Sequence, residues 1–289
     1  MPGFLEVALP IAAFALGLAL GSFLNVVIFR LPRVGLALDK PRRSFCPNCQ
    51  AQISWFDNIP VFSWLFLRGR CRSCREPISW RYPLVELVAA FLSLYVFQAE
   101  GLTIRYFFIL YFLLALTAIA FIDLELMVIP DLLVLPTILL GLILAVVSPT
   151  PNLLGGYFWL KLLSLGWNER VISLMGSIAG FALGFGTLYI VAFLYKTFRG
   201  RTGLGDGDPP LLGLIGVYLG WISIFPVLFL STAIALMSVG VLIVLGRFPT
   251  KTGQPGGQPI PYGPFLVLAA LVWHFFGSKL LWWYLGLFG

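Results

Sequence analysis

Apolar residues fall in blocks separated by short polar breaks, and eight blocks read as helices: about 4–31, 83–99, 104–122, 131–148, 171–196, 209–222, 224–246 and 262–287. A helix that crosses a hydrocarbon core needs about 20 predominantly apolar residues, and most of these blocks are near that length. Runs such as 107–122 and 224–245 do not alternate, as the roughly 10-residue strands of a membrane β-barrel would. The pattern predicts an all-α polytopic membrane protein with about eight transmembrane helices, of which 83–99 and 209–222 are short. Gly17 and Gly21, and again Gly176, Gly180 and Gly184, recur every fourth residue. That spacing puts small residues on one helix face, where a neighbouring helix can approach closely. The polar stretch 32–82 predicts a small domain between the first two helices, leaving 83–289 as a seven-helix membrane domain. Residues 149–170 read as a loop with an interfacial turn, and Trp282, Trp283 and Tyr284 as an aromatic belt.

Composition removes the soluble alternative. Of 289 residues 60% are apolar and 11% charged, against roughly 25% charged in a soluble domain. Lys and Arg number 19 against 12 acidic residues, a net charge of +7. With the N-terminus outside, the inner loops hold ten bases between residues 30 and 82, three in 196–208 (Lys196, Arg199, Arg201) and two in 246–261 (Arg247, Lys251). The outer side keeps only Arg105, Lys161, Arg170 and Lys279, so the positive-inside rule predicts both termini outside. The basic excess reads as orientation and as attraction to membrane lipid; no groove-reading fold surrounds residues 68–81, and no nucleic-acid partner is expected. No cleavable leader is expected either, since the first basic residue follows the first apolar stretch.

All four cysteines lie in the first inner loop, as Cys46-x2-Cys49 and Cys71-x2-Cys74. Two C-x2-C turns aim four thiolates at one tetrahedral centre, predicting a structural zinc ion bound by Cys46, Cys49, Cys71 and Cys74. Two disulfides and an iron–sulfur cluster are the competing readings. A site closed by four thiolates offers no open position for catalysis.

The one histidine, His274, lies inside the last apolar block, which removes Ser-His-Asp, Cys-His and H-E-x-x-H chemistry. No phosphate-binding glycine loop occurs. Carboxylates remain. Glu6, Asp39, Asp57, Glu76, Glu100 and Glu169 sit in loops or near termini, where solvation is the default, whereas Asp123, Glu125, Asp131, Asp206 and Asp208 lie at membrane boundaries. Carboxylates at such boundaries are expensive and default to functional candidates. The third span runs inward to Asp123 and the sixth leaves the inner side after Asp208, so both reach one membrane face. Two aspartates that meet there can share a proton, one activating water while the other polarises a carbonyl. A carboxylate-lined transporter and a zinc-stapled assembly scaffold are the alternatives, the former lacking an evident internal repeat.

These residues also carry a resemblance. The runs Gly21 to Pro32, Ser44 to Cys49, Trp55 to Pro60, Cys71 to Cys74, Pro77 to Glu86, Phe121 to Asp131 and Ile260 to Phe265 resemble the type IV prepilin peptidases, bifunctional inner-membrane aspartic peptidases that also serve type II secretion. The resemblance implies cleavage of prepilins and pseudopilins after the glycine ending a short basic leader, on the cytosolic side. It also implies N-methylation of the new terminus from S-adenosylmethionine. The family's catalytic aspartates fall on Asp123 and on the aspartate of Gly-x-Gly-Asp, for which the chain offers Asp206 and Asp208; the run Leu211 to Gly220 favours Asp208. Where the family usually has a lysine two residues later, this chain has Pro209-Pro210. No Rossmann turn marks a methyl-donor site, and the cysteine domain with its flanks, including Asn25 and residues 55–60, holds the candidates.

Overall fold

The computed structural model describes residues 2–33, 35–38, 43–150, 162–200, 203–245 and 260–286. Among them the chain is helical without a strand and contains nine α-helices. These are α1 (Pro2–Arg30), α2 (Phe62–Phe66), α3 (Arg81–Glu100), α4 (Ile104–Leu126), α5 (Asp131–Val147), α6 (Glu169–Arg199), α7 (Asp208–Leu219), α8 (Ile224–Val244) and α9 (Gly263–Gly286). Five stretches are long and apolar enough to cross a membrane: Leu5–Arg30, Arg81–Glu100, Ile104–Leu126, Glu169–Arg199 and Trp221–Val244. The apolar helices α5, α7 and Gly263–Gly277 within α9 are shorter. The block expected to be short at 83–99 is a full 20-residue helix, because Arg81 and Tyr82 wind into its first turn, the guanidinium 4.8 Å from the Tyr82 ring centroid. The expected loop over 151–161 and the side chains of the 282–284 aromatic belt lie outside the described residues.

The chain divides into two compact units, Met1–Ala118 and Ile119–Gly289. In the first, α1 packs along α3 through the small face expected from Gly17 and Gly21. A Cβ on Gly17 would lie 2.5 Å from the Ala90 Cα, and one on Gly21 2.6 Å from the Glu86 Cα, so any larger residue would force the helices apart. The buried Ser93 hydroxyl bonds the Ala13 carbonyl at 2.6 Å and the Tyr106 hydroxyl at 2.7 Å, linking α1, α3 and the start of α4. In low-dielectric surroundings such satisfied polar contacts fix register where apolar packing alone discriminates little.

In the second unit α6 and α7 pack backbone against backbone, with Gly180 facing Gly216 and Gly184 facing Leu212 and Gly213. Glycine is required there because the carbonyls of Gly180 and Gly216 occupy the space each other's Cβ would take. Helix α6 begins at Asn168, whose side chain accepts the Arg170 N–H at 2.9 Å, an N-cap that satisfies an orphan donor. It ends at Gly200 with φ 67, the left-handed stop that glycine adopts freely. The close α6–α7 contact fixes α7, and α7 starts at the second of the two candidate aspartates.

Candidate active site and metal centre

Met127 takes φ 55, which ends α4 and bends the chain into Val128, Ile129 and Pro130. Asp123 lies one turn before that break with 5% of its surface exposed. Its Oδ2 accepts the Gly263 N–H at 3.1 Å, a contact spanning 140 residues of sequence. A Cβ on Gly263 would sit 2.6 Å from that oxygen, so glycine is what lets the α9 backbone reach the carboxylate. The Tyr262 hydroxyl, bonded to Ser231 at 2.6 Å and Thr232 at 3.3 Å, anchors this backbone to α8.

Asp208 opens α7 and is 4% exposed. Its Oδ2 accepts the Gly205 N–H at 3.1 Å. Pro209 and Pro210 follow in the first turn, where a missing backbone donor costs no hydrogen bond. Ile129 joins the two sites: its Cβ lies 2.6 Å from the Cβ position of Gly207, and its Cδ1 3.3 Å from that of Gly263. Asp208 is within coulombic reach of Asp123. The second oxygen of each carboxylate makes no hydrogen bond among the described residues. The other boundary acids, Glu125, Asp131 and Asp206, are exposed, and His274 packs edge-on to Phe275 at 5.4 Å.

Three residues lie in the runs Pro77 to Glu86 and Ile260 to Phe265 that carry the resemblance, but sequence reasoning assigned them no role. Gly263 and Tyr262 orient Asp123, and only the Gly-Pro helix start at 263 hinted at a special backbone. Glu86 is the third buried carboxylate among the described residues; an acid inside an apolar span was itself a signal. Its Oε2 accepts the Val61 N–H at 2.7 Å. Two acids expected to be merely solvated hold arginines: Asp57 binds Arg72 at 2.6 and 2.8 Å, and Glu100 binds Arg105 at 2.9 Å.

The four cysteines converge between α1 and α3. Their Sγ atoms lie within 4.8 Å of one another, Cys46 and Cys74 being 3.9 Å apart, and none forms a disulfide. A tetrahedron of thiolates about 2.3 Å from a metal has edges of about 3.8 Å, so the set fits such a cation. The two halves repeat one design: each C-x2-C turn is followed by a residue with positive φ, Gln50 at 58 and Arg75 at 64. In each the first cysteine donates its N–H across the turn, Cys46 to Ala51 at 3.0 Å and Cys71 to Glu76 at 2.9 Å. Backbone N–H groups of Cys74 and Ser73 stabilise the Cys71 thiolate and lower its pKa to about 6. Cys49 is favoured as thiolate by the Ala51 backbone, yet desolvation and the three neighbouring sulfurs push it up to about 11. The Cys71 thiolate is thus ready at neutral pH, and a bound cation would offset the charge of thiolates crowded together.

Residues 15–99 match the bacterial peptidase A24 N-terminal domain and residues 110–241 the type IV leader peptidase family. The chain is 36% identical to a prepilin leader peptidase/N-methyltransferase of Aeromonas hydrophila, covering 94% of this chain and 92% of the relative. Proteins of the same name from Stutzerimonas stutzeri and Pseudomonas aeruginosa are 35% and 34% identical, each covering 92% of this chain and 91% of the relative. No solved structure matches.

Proposed function

The chain belongs to the type IV leader peptidase family, a family of aspartic peptidases, and from that premise we propose that it cleaves prepilins and pseudopilins with Asp123 and Asp208 and then methylates the new N-terminus. The observation that carries this reading is the pairing of two buried aspartates around Ile129, each held through one oxygen by a glycine N–H and each keeping the other oxygen available. Two such carboxylates share one proton. The ionised partner draws a proton from water as it attacks the scissile carbonyl, the protonated partner hydrogen-bonds the developing oxyanion, and as the C–N bond breaks the aspartate that took water's proton gives it to the leaving amine, which returns the pair to one shared proton. The pair acts as a unit, so acid and base are not assigned to single residues.

In this reading eight apolar helices cross the inner membrane, and the charge asymmetry of the loops supports both termini outside with the aspartates at the cytosolic face. The domain reading is a first helix to residue 31, a metal domain over 32–82 and a membrane domain beyond. The cysteine set would hold zinc, which supplies folding energy rather than chemistry. The methyl donor is S-adenosylmethionine. In the first unit the residue fitting a donor-bearing ligand is Asn25, whose Nδ2 donates to the Tyr82 carbonyl at 3.0 Å while its buried Oδ1 has no partner.

Incubating the purified protein with a prepilin and labelled S-adenosylmethionine reads the two reactions separately. Asp123→Asn and Asp208→Asn each abolish cleavage in a folded protein, Asp206→Asn cleaves normally, and Asn25→Ala cleaves but loses methyl transfer. Normal cleavage by Asp208→Asn together with failure of Asp206→Asn would move the second aspartate to 206.

A further inference from the structure

The segment between the two cysteine turns presents an exposed apolar surface to which the proposed peptidase chemistry assigns no role. Residues Trp55–Asn58 form a single 3-10 turn, followed by Ile59 and the short helix α2. Trp55, Phe56, Ile59, Phe62, Leu65 and Phe66 are all exposed, Trp55 by 82% and Phe66 by 85%. Positions 62, 65 and 66 share one face of α2 by helical spacing. Together the six side chains present on the order of 700 Å² of apolar surface, against roughly 300–600 Å² for the largest patch on an ordinary soluble monomer.

The display is built. The Ser63 hydroxyl donates to the Phe56 carbonyl at 2.7 Å and accepts the Ile59 N–H at 3.1 Å, closing the turn onto α2 from inside. The Trp64 indole donates to the Ile78 carbonyl at 3.0 Å and lies 2.9 Å from the Gly69 Cβ position, fixing α2 on the second cysteine turn. Arg72 grips Asp57 with two hydrogen bonds and lies 5.5 Å from the Phe56 ring centroid. Val61 takes φ 63, a conformation rare for a β-branched residue. That unfavourable turn occurs where its N–H meets Glu86 on α3 at 2.7 Å. Strain of this kind persists only where the surroundings over-determine it.

The bond to Glu86 also sets the depth of the surface. Helix α3 is apolar and long enough to span a membrane, and Glu86 lies five residues into it, about 7.5 Å along the axis. The apolar face therefore stands beside the end of a spanning helix, at the headgroup–acyl boundary where interfacial segments bury about 5–10 Å. Arg68, Arg70 and Arg75 are exposed alongside it, whereas the nearby Asp57 is already neutralised by Arg72. Aromatic side chains backed by arginine match the acyl boundary below and the anionic headgroups above.

We propose that residues 55–66, displayed between the two cysteine turns and tied to α3 through Val61 and Glu86, form an in-plane anchor in an anionic phospholipid leaflet. The anchor holds the metal domain against the bilayer. It requires that α3 cross the membrane but not that the protein cleave or methylate anything.

The test uses the full chain in nanodiscs of phosphatidylethanolamine and phosphatidylglycerol, whose two leaflets are alike, so sidedness does not enter. Phe62, Phe66 and, as a control on the first cysteine turn, the exposed Gln52 are exchanged singly for photoreactive benzoylphenylalanine and irradiated. Lipid adducts are expected at 62 and 66 at least about tenfold above position 52. Phosphatidylglycerol should be enriched in them over its mole fraction, and Arg68→Gln with Arg70→Gln should lower that enrichment by about fivefold or more. Lipid adducts no more frequent at 62 and 66 than at 52, or adducts to protein alone, would overturn the proposal. If an exchange costs the fold, read as loss of the bound metal, hydroxyl-radical footprinting of the unaltered chain decides. Protection of Trp55 and Phe66 in nanodiscs supports the anchor, and full oxidation refutes it.

Discussion

Gly263→Ala tests how the α9 backbone holds Asp123. The new Cβ would lie 2.6 Å from Oδ2, 3.2 Å from Cγ of Asp123 and 3.3 Å from Cδ1 of Ile129. Gly263 has no positive φ, so alanine strains no dihedral and the substitution probes space alone. A 2.6 Å approach cannot be absorbed in place, so the carboxylate must swing away and lose the 3.1 Å bond from the Gly263 N–H. A hydrogen bond to a charged group contributes about 1.5–3 kcal/mol. If that energy orients Asp123 for reaction, kcat falls by about 10- to 150-fold while KM changes little, the mark of an interaction expressed in the transition state. Gly205→Ala is the graded comparison: its Cβ would lie 3.2 Å from Asp208 Oδ2, tight but relieved by a small shift that keeps the N–H bond. Its loss should stay below about tenfold. Steady-state cleavage of a prepilin in detergent, with thermal unfolding as the control for folding, measures both. A folded Gly263→Ala enzyme with unchanged kcat would refute the orientation of Asp123 by this backbone.

Three further predictions follow from the same geometry. Arg72 holds the Asp57 carboxyl below its usual range through its hydrogen bonds and charge, so the pair stabilises the four-cysteine segment above the unfolded carboxylate pKa of about 3.9 and that contribution is lost as pH falls through the lowered folded value; proteolysis of the 43–80 segment should show Asp57→Asn weaker than wild type at pH 7, with the difference shrinking as the pH is lowered through the acid range. Gln50→Gly and Arg75→Gly remove side chains from positive φ, at 58 and 64, and should each strengthen the knuckle by about 0.5–1 kcal/mol after the entropy of glycine, read as severalfold slower metal release to a chelator. Gly216→Leu forces α7 off α6 at the Gly180 contact; thermal unfolding should fall by a few kcal/mol, and cleavage should fall with it because α7 carries Asp208.

What could be read beforehand was local. Apolar runs gave the helices, four-residue glycine spacing gave the α1–α3 and α6–α7 seams, and two C-x2-C turns gave the four-cysteine cluster. Boundary position narrowed the acids to five, and the family resemblance pointed to Asp123 and Asp208 among them; in the structure these two are buried while Asp206, Glu125 and Asp131 are exposed. What could not be read was long-range. The Gly263 contact to Asp123 crosses 140 residues, and no periodicity marks a backbone N–H as a ligand. Glu86 ends one of the runs that carry the resemblance but was assigned no role, because its partner is another backbone N–H, that of Val61. The end of α4 was also hidden: Met127 is a good helix former, yet it turns to φ 55 because the following Val128, Ile129 and Pro130 must carry Ile129 back beneath Gly207 and Gly263.

The three buried carboxylates show how a chain with one histidine positions acids without titratable partners. Glu86, Asp123 and Asp208 each accept a backbone N–H, a donor whose charge state is independent of pH. Such a donor must come close, and around the two aspartates the chain supplies glycine wherever a Cβ would intrude: at 205 and 207 before Asp208, and at 263 opposite Asp123. An arginine or lysine partner would favour the ionised form of a neighbouring carboxylate. Pro209 and Pro210 agree with this economy, since they start α7 without placing a cation beside Asp208. Replacing Pro210 by lysine therefore tests whether the neutral surroundings matter. A cation at that helix position should favour the doubly ionised pair and move the acidic limb of cleavage to lower pH, while the unchanged chain keeps it higher. Identical pH profiles for the two would show that the pair does not depend on an uncharged neighbourhood.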